Sequence, residues 1–125
     1  METTNSKIKN GSEVVVYCEG RHYLEDCSRV VDGRVETWQS FRNKTDYDIK
    51  DVAPAVRLIN CGWTAGKCAC DLAVGDKLAF NYGYTGTITK IERVSKCFLA
   101  ITAVEKNGEE YTRKRKATSL VPVAL

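Results

Sequence analysis

An extended strand through Glu110–Lys116 would place Tyr111, Arg113 and Arg115 on one face and Thr112, Lys114 and Lys116 on the other. An aromatic ring beside guanidinium groups suits a nucleobase stacked on the ring with its phosphate held by arginine. The turn Asn81-Tyr82-Gly83-Tyr84 offers two more rings, and Lys90 and Arg93 add cations on the segment that follows. Arg57 interrupts the apolar run Ala55-Val56-Arg57-Leu58-Ile59, where a cation needs a carboxylate or an anionic ligand to hold it. The candidate binding set is therefore Arg57, Tyr82, Tyr84, Lys90, Arg93, Tyr111, Arg113, Lys114, Arg115 and Lys116. A plainer role for the same residues is a solvated strand whose lysines block sheet-to-sheet association, with Tyr82 and Tyr84 closing one end of a barrel.

Other chemistry is thinly supplied. The chain has six cysteines and one histidine. Cys61, Cys68 and Cys70 form C-x6-C-x-C, and Cys18, His22 and Cys27 form C-x3-H-x4-C. Structural zinc draws its four ligands from paired knuckles of two-to-four-residue spacing, and neither cluster has that form. The C-x-C step also departs from the C-x-x-C of dithiol redox motifs. Free thiols packed among apolar neighbours, as in Val-Val-Val-Tyr-Cys18, are the expectation. A Cys18–His22 or Cys27–His22 dyad lacks a third orienting group. No nucleophile motif or phosphate-cradling glycine loop occurs, so the expectation is a protein that is not an enzyme and carries no cofactor or metal.

The 125 residues are about one domain's worth, and 43% hydrophobic with 28% charged content is that of a folded globular chain. The net charge of +3 is unevenly spread: residues 1–62 hold nine Lys/Arg against ten Asp/Glu, and residues 63–125 hold ten against six. A basic C-terminal half attracts phosphate-bearing partners. Uncharged stretches are far shorter than a membrane span, and the polar start lacks a secretory core, so a cytoplasmic location without membrane contact is expected.

The elements that must position these side chains are short strands. Glu13–Cys18 is a β-branched run turned by Glu19-Gly20, and Asp32-Gly33 between apolar residues signals a two-residue hairpin. Residues 39–51 are polar, with residues 42–46 reading as loop and Asp46 or Asp48 capping a short helical turn toward Val52. Pro54–Asn60 is compatible with a strand or a two-turn helix, the strand preferred, and Gly62–Gly66 reads as loop. Lys77–Tyr82 would set Leu78, Phe80 and Tyr82 on one face. Gly86–Glu92 would set Ile88 and Ile91 on opposite faces. Phe98–Val104 is apolar on both faces and should be central. Asn107-Gly108 makes a further hairpin to the basic strand, and a tight turn at Thr118–Leu120 precedes Val121-Pro-Val123.

Over residues 72–123 this layout resembles small SH3-like barrels. The expected fold is mainly β: an SH3-like barrel or curved antiparallel sheet at 72–123, extended by N-terminal strands, with at most one short helix. A flexible tail at 1–11 would precede a single β-rich domain at 12–125, and no sequence stretch recurs. The expected function is a non-enzymatic module binding a nucleotide or nucleic acid through the basic strand and adjacent tyrosines. The alternative is a protein–protein interaction or homo-oligomerisation module, of the sort a phage or mobile element carries as an accessory.

Overall fold

The computed structural model describes residues 3–38 and 45–125. Residues 39–44 of the polar segment 39–51 lie outside them. The described chain forms β1 (Glu13–Cys18), β2 (Arg21–Val31), β3 (Arg34–Thr37), β4 (Asp46–Asp48), β5 (Val52–Leu58) and β6 (Gly62–Cys68). It continues through β7 (Lys77–Ala79), β8 (Thr85–Arg93), β9 (Phe98–Glu105), β10 (Glu110–Lys116) and β11 (Leu120–Val123). Every pairing is antiparallel, in one open sheet ordered β10-β9-β8-β7-β11-β6-β5-β1-β2-β3-β4. Among the described residues the only helical pieces are 3₁₀ turns. The sheet is large and unclosed, with β4 and β10 as its edges.

That order is a palindrome about β6. On one side β1–β4 meander and β5 returns beside β1; on the other β7–β10 meander and β11 returns beside β7. Each half has its own core. The first contains Ile8, Val14, Cys27, Val35 and Val52, and the second Leu72, Leu78, Ile88, Ile101 and Val121 at corresponding places. The correspondence reaches individual hydrogen bonds. Gly11 N–H donates to Cys27 O at 2.8 Å and Gly75 N–H to Ile88 O at 2.8 Å; Cys27 N–H donates to Ser12 O and Ile88 N–H to Asp76 O, both at 2.9 Å. The Ser12 hydroxyl accepts from Lys9 N–H as the Asp76 carboxylate accepts from Ala73 N–H. Both second strands bulge one residue later, at Cys27–Arg29 and at Ile88–Lys90.

No recurring stretch is visible in the sequence because the halves share a pattern rather than residues. An apolar anchor, a positive-φ glycine and a small oxygen acceptor in Ile8-x-x-Gly11-Ser12 match Leu72-x-x-Gly75-Asp76. Only the glycine is common to both.

Several local expectations change. Gly62–Gly66 is not a loop but lies in β6, paired on both sides with β5 and β11. Its Gly66 is required by close approach, since a Cβ there would lie 2.6 Å from Val56 Cγ2. β7 ends at Ala79, so Tyr82 leaves the face it was expected to share with Leu78 and Phe80 and takes a positive φ of 65° in a 3₁₀ turn. The Ile88–Lys90 bulge inserts one residue, which returns Ile91 to the side of Ile88 against the second core. The start of the chain, expected as a tail, holds a 3₁₀ turn at Asn5–Lys7 and packs Ile8 at 5% exposure into the first core. The Asp32-Gly33 hairpin forms with φ values of 50° and 75°, as a type I′ turn demands. Asp48 caps the turn at Ile49–Asp51 by accepting from Lys50 N–H at 3.0 Å.

Candidate anion-binding cleft

With β11 between β6 and β7, Leu120, Val121 and Pro122 line one space together with residues of β5 and β10. The space left is a cleft of about 580 Å³ with an apolar floor of Val56, Leu58, Leu78, Phe80 and Val121. Its polar lining is Arg57, Asn81, Tyr84, Glu105, Tyr111, Arg113 and Arg115. The volume is typical of small-ligand sites, which are mostly apolar with a few convergent polar groups.

The cationic wall comes from one strand. Tyr111, Arg113 and Arg115 pair with Ala103, Ile101 and Leu99 of β9, so they stand on the face that carries the second core. Tyr111 packs its ring edge-on against Phe80, with centroids 5.5 Å apart and planes at 63°. Gly86 of β8 makes room for this pair, because a Cβ there would lie 3.0 Å from Phe80 Cε2 and 3.2 Å from Tyr111 Oη. The Tyr111 hydroxyl is buried and has no hydrogen-bond partner among the described residues. Burial first, and the Glu105 charge second, push its pKa up, while Arg113 pulls it down. Among the described residues neither Arg113 nor Arg115 forms a salt bridge.

The other half of the molecule shows what is missing here. Through the shared register, Glu25, Thr37 and Tyr47 correspond to Gly86, Ala103 and Arg113. Glu25 is buried, and its carboxylate accepts from Thr37 Oγ1 at 2.7 Å and Tyr47 Oη at 3.3 Å. The first half thus keeps its acceptor inside the fold. The second replaces that acceptor with glycine, introduces a cation, and leaves a tyrosine hydroxyl unpartnered.

The ten sequence candidates separate. Arg57, Tyr84, Tyr111, Arg113 and Arg115 line the cleft together. Arg57 is held by Glu13, with Nη2 to Oε2 at 2.6 Å and Nε to Oε1 at 3.3 Å, which raises its pKa. Tyr82 is 61% exposed, donates its N–H to Ile59 O, and does not line this cleft. Lys90 pairs with Glu92 at 3.4 Å, and Arg93 Nη1 caps the carbonyls of Ser95 and Lys96. Lys114 sits 4.8 Å above the Phe98 ring on the opposite face of β10, the face that Lys116 shares. Glu105 and Asn81 are the polar residues the sequence reading missed. Glu105 shares the strand face of Ile101 and Ala103, a parity readable from the sequence, yet its place in a cleft depends on β10 and β11. Asn81 Oδ1 accepts from Ile59 N–H at 2.9 Å, which ties the 81–83 turn to the end of β5.

None of the six cysteines is in a disulfide: Cys18, Cys27 and Cys68 are buried, Cys70 is half-buried, and Cys61 and Cys97 are exposed. Burial pushes the Cys27 thiol up, and does the same at Cys68 with the nearby Cys70 adding to it. His22 rests against the Tyr17 ring at 5.0 Å. Among the described residues no three His, Cys, Asp or Glu side chains converge as metal ligands, and no helix is long and apolar enough to cross a membrane. Comparison with protein-family models, with curated proteins and with solved structures finds no match to this chain.

Proposed function

We propose that this protein is a binding module rather than an enzyme, and that the cleft beside β10 takes an anionic ligand of nucleotide type. The observation that carries the reading is the Tyr111 hydroxyl, buried and, among the described residues, without a partner, beside Arg113 and Arg115, which form no salt bridge there, in a cleft with an apolar floor. A buried donor left unsatisfied costs free energy that an incoming acceptor recovers. Phosphate oxygens meet Arg113, Arg115 and the tyrosine donor, while the base lies over the apolar floor or against Tyr84. The β7–β11 half, a four-strand meander whose fifth strand returns beside the first, supports an SH3-like description of this part. Six free thiols suit a reducing, cytoplasmic setting.

The test is a titration with a short mixed-sequence single-stranded oligonucleotide and with nucleoside monophosphates at several salt concentrations. The expected result is binding that weakens with salt, and a smaller salt dependence in Arg113→Ala and Arg115→Ala. Absence of binding by every such probe, or binding indifferent to both arginines, overturns the proposal.

A second reading has its own observation: β10 is a sheet edge. Its odd-numbered residues bond to β9, so the main-chain groups of Thr112 and Lys114 face outward and are geometrically ready for an added peptide strand, whereas Lys116 O already accepts from Ser119 N–H and Oγ. Such binding would resist salt and survive loss of the cleft arginines.

A further inference from the structure

Among the described residues Glu105 is the one carboxylate that lines the cleft, whose other charged groups are Arg57, Arg113 and Arg115. It ends β9 opposite Gly86 of β8, half-buried, and among the described residues its side chain makes no hydrogen bond or ion pair. It also lines a second depression of about 300 Å³ formed with Gly83, Tyr84, Thr85, Lys106 and Asn107. Glu105 and Tyr84 therefore stand at the junction of the two spaces. An unpaired, partly desolvated carboxylate at such a place repels a phosphate and asks for a hydrogen-bond donor.

We infer that Glu105 is a specificity-determining residue: it accepts from the exocyclic amine of a base whose phosphate lies toward Arg113 and Arg115. The inference rests on the nucleotide reading of the cleft. A carboxylate accepts from the N4 amine of cytosine. Uracil presents a carbonyl oxygen at the same ring position, and carbonyl against carboxylate is repulsive. Tyr84, 63% exposed and shared by both spaces, supplies the ring against which that base stacks. The ligand class is thus narrowed to nucleotides with an amino-bearing base, and uracil and thymine are disfavoured.

CMP and UMP make the decisive pair, because they carry the same phosphate and ribose and nearly the same ring. Calorimetric titration of the whole chain should show CMP binding about tenfold more tightly than UMP, the discrimination of one good base contact. Glu105→Gln, which keeps the shape but removes the charge and can donate as well as accept, should bring the two within about twofold, mostly by weakening CMP. Unchanged melting of the variant would show that the fold is intact. UMP binding as tightly as CMP to the unaltered protein overturns the inference and leaves the cleft reading standing. So does a Glu105→Gln variant that shifts both affinities equally. No binding of either nucleotide or of an oligonucleotide overturns both.

Discussion

Replacing Tyr111 with phenylalanine removes one oxygen and leaves the rest of the site in place. In most folded proteins a buried tyrosine hydroxyl is bonded and its loss is destabilising. Here the hydroxyl has no partner among the described residues, and the ring's contact with Phe80 does not depend on it. A buried donor left unsatisfied costs roughly 1–3 kcal/mol. At the low end of that range, Tyr111→Phe should stabilise the ligand-free protein by about 1 kcal/mol. For a chain of this size that is a rise of roughly 3–6 °C in Tm, with an unchanged urea m-value. The sign with pH also follows. Burial raises the folded-state pKa, so the native protein keeps this proton longer than the unfolded chain. The associated stability is complete below the ordinary tyrosine range and is lost as pH climbs through the raised value, a decline that phenylalanine removes. The same variant should bind nucleotide less tightly, which makes it more stable and less functional at once. Urea unfolding of the two proteins decides it: a loss of more than about 0.5 kcal/mol on replacement would mean that the hydroxyl is bonded in the folded protein.

Gly86→Ala places a methyl 3.0 Å from Phe80 and 3.2 Å from Tyr111 Oη, and should cost about 1–2 kcal/mol by urea unfolding while shifting both rings. In the other half, Thr37→Val removes the hydroxyl that donates to the buried Glu25 carboxylate at 2.7 Å, and a loss of roughly 1–3 kcal/mol is expected in the same assay. Asp71 accepts from the Thr4 hydroxyl at 2.6 Å and Thr4 N–H at 2.8 Å, contacts that hold its pKa below the usual carboxylate range. Its contribution is present above the unfolded-state pKa and lost as pH falls through the lowered value. Asp71→Asn should therefore lower the urea midpoint at neutral pH and matter little in strong acid.

The strand content was legible because each signal is local. Val14-Val15-Val16 is β-branched, Asp32-Gly33 matches a two-residue hairpin, and Phe98–Val104, apolar on both faces, lies between β8 and β10. Local chemistry misleads where pairing at a distance overrides it. Gly62-Trp63-Thr64-Ala65-Gly66 has no strand pattern of its own, yet partners on both sides make it one, and Gly66 serves the close approach of Val56. Ile91 changed faces because of a bulge that no residue type announces. Of the candidate site, the alternation of Tyr111, Arg113 and Arg115 was readable, since side-chain direction in a strand has a period of two. Which cations are already engaged was not. Arg57 meets Glu13 from 44 residues away, and Lys114 covers Phe98 on the far side of the strand.

By itself, then, the sequence determined a chain of short antiparallel strands with a basic segment near its end, because turn chemistry, β-branching and alternation act over a few residues. The tertiary structure alone decided that the strands fall into two equivalent halves about β6, since that equivalence is one of register and hydrogen bonding rather than of residue identity. It also decided the cleft. Gly86, Glu105, Tyr111 and Arg113 come together through the pairing of β8, β9 and β10, and the opposite wall exists because β11 returns to lie between β6 and β7.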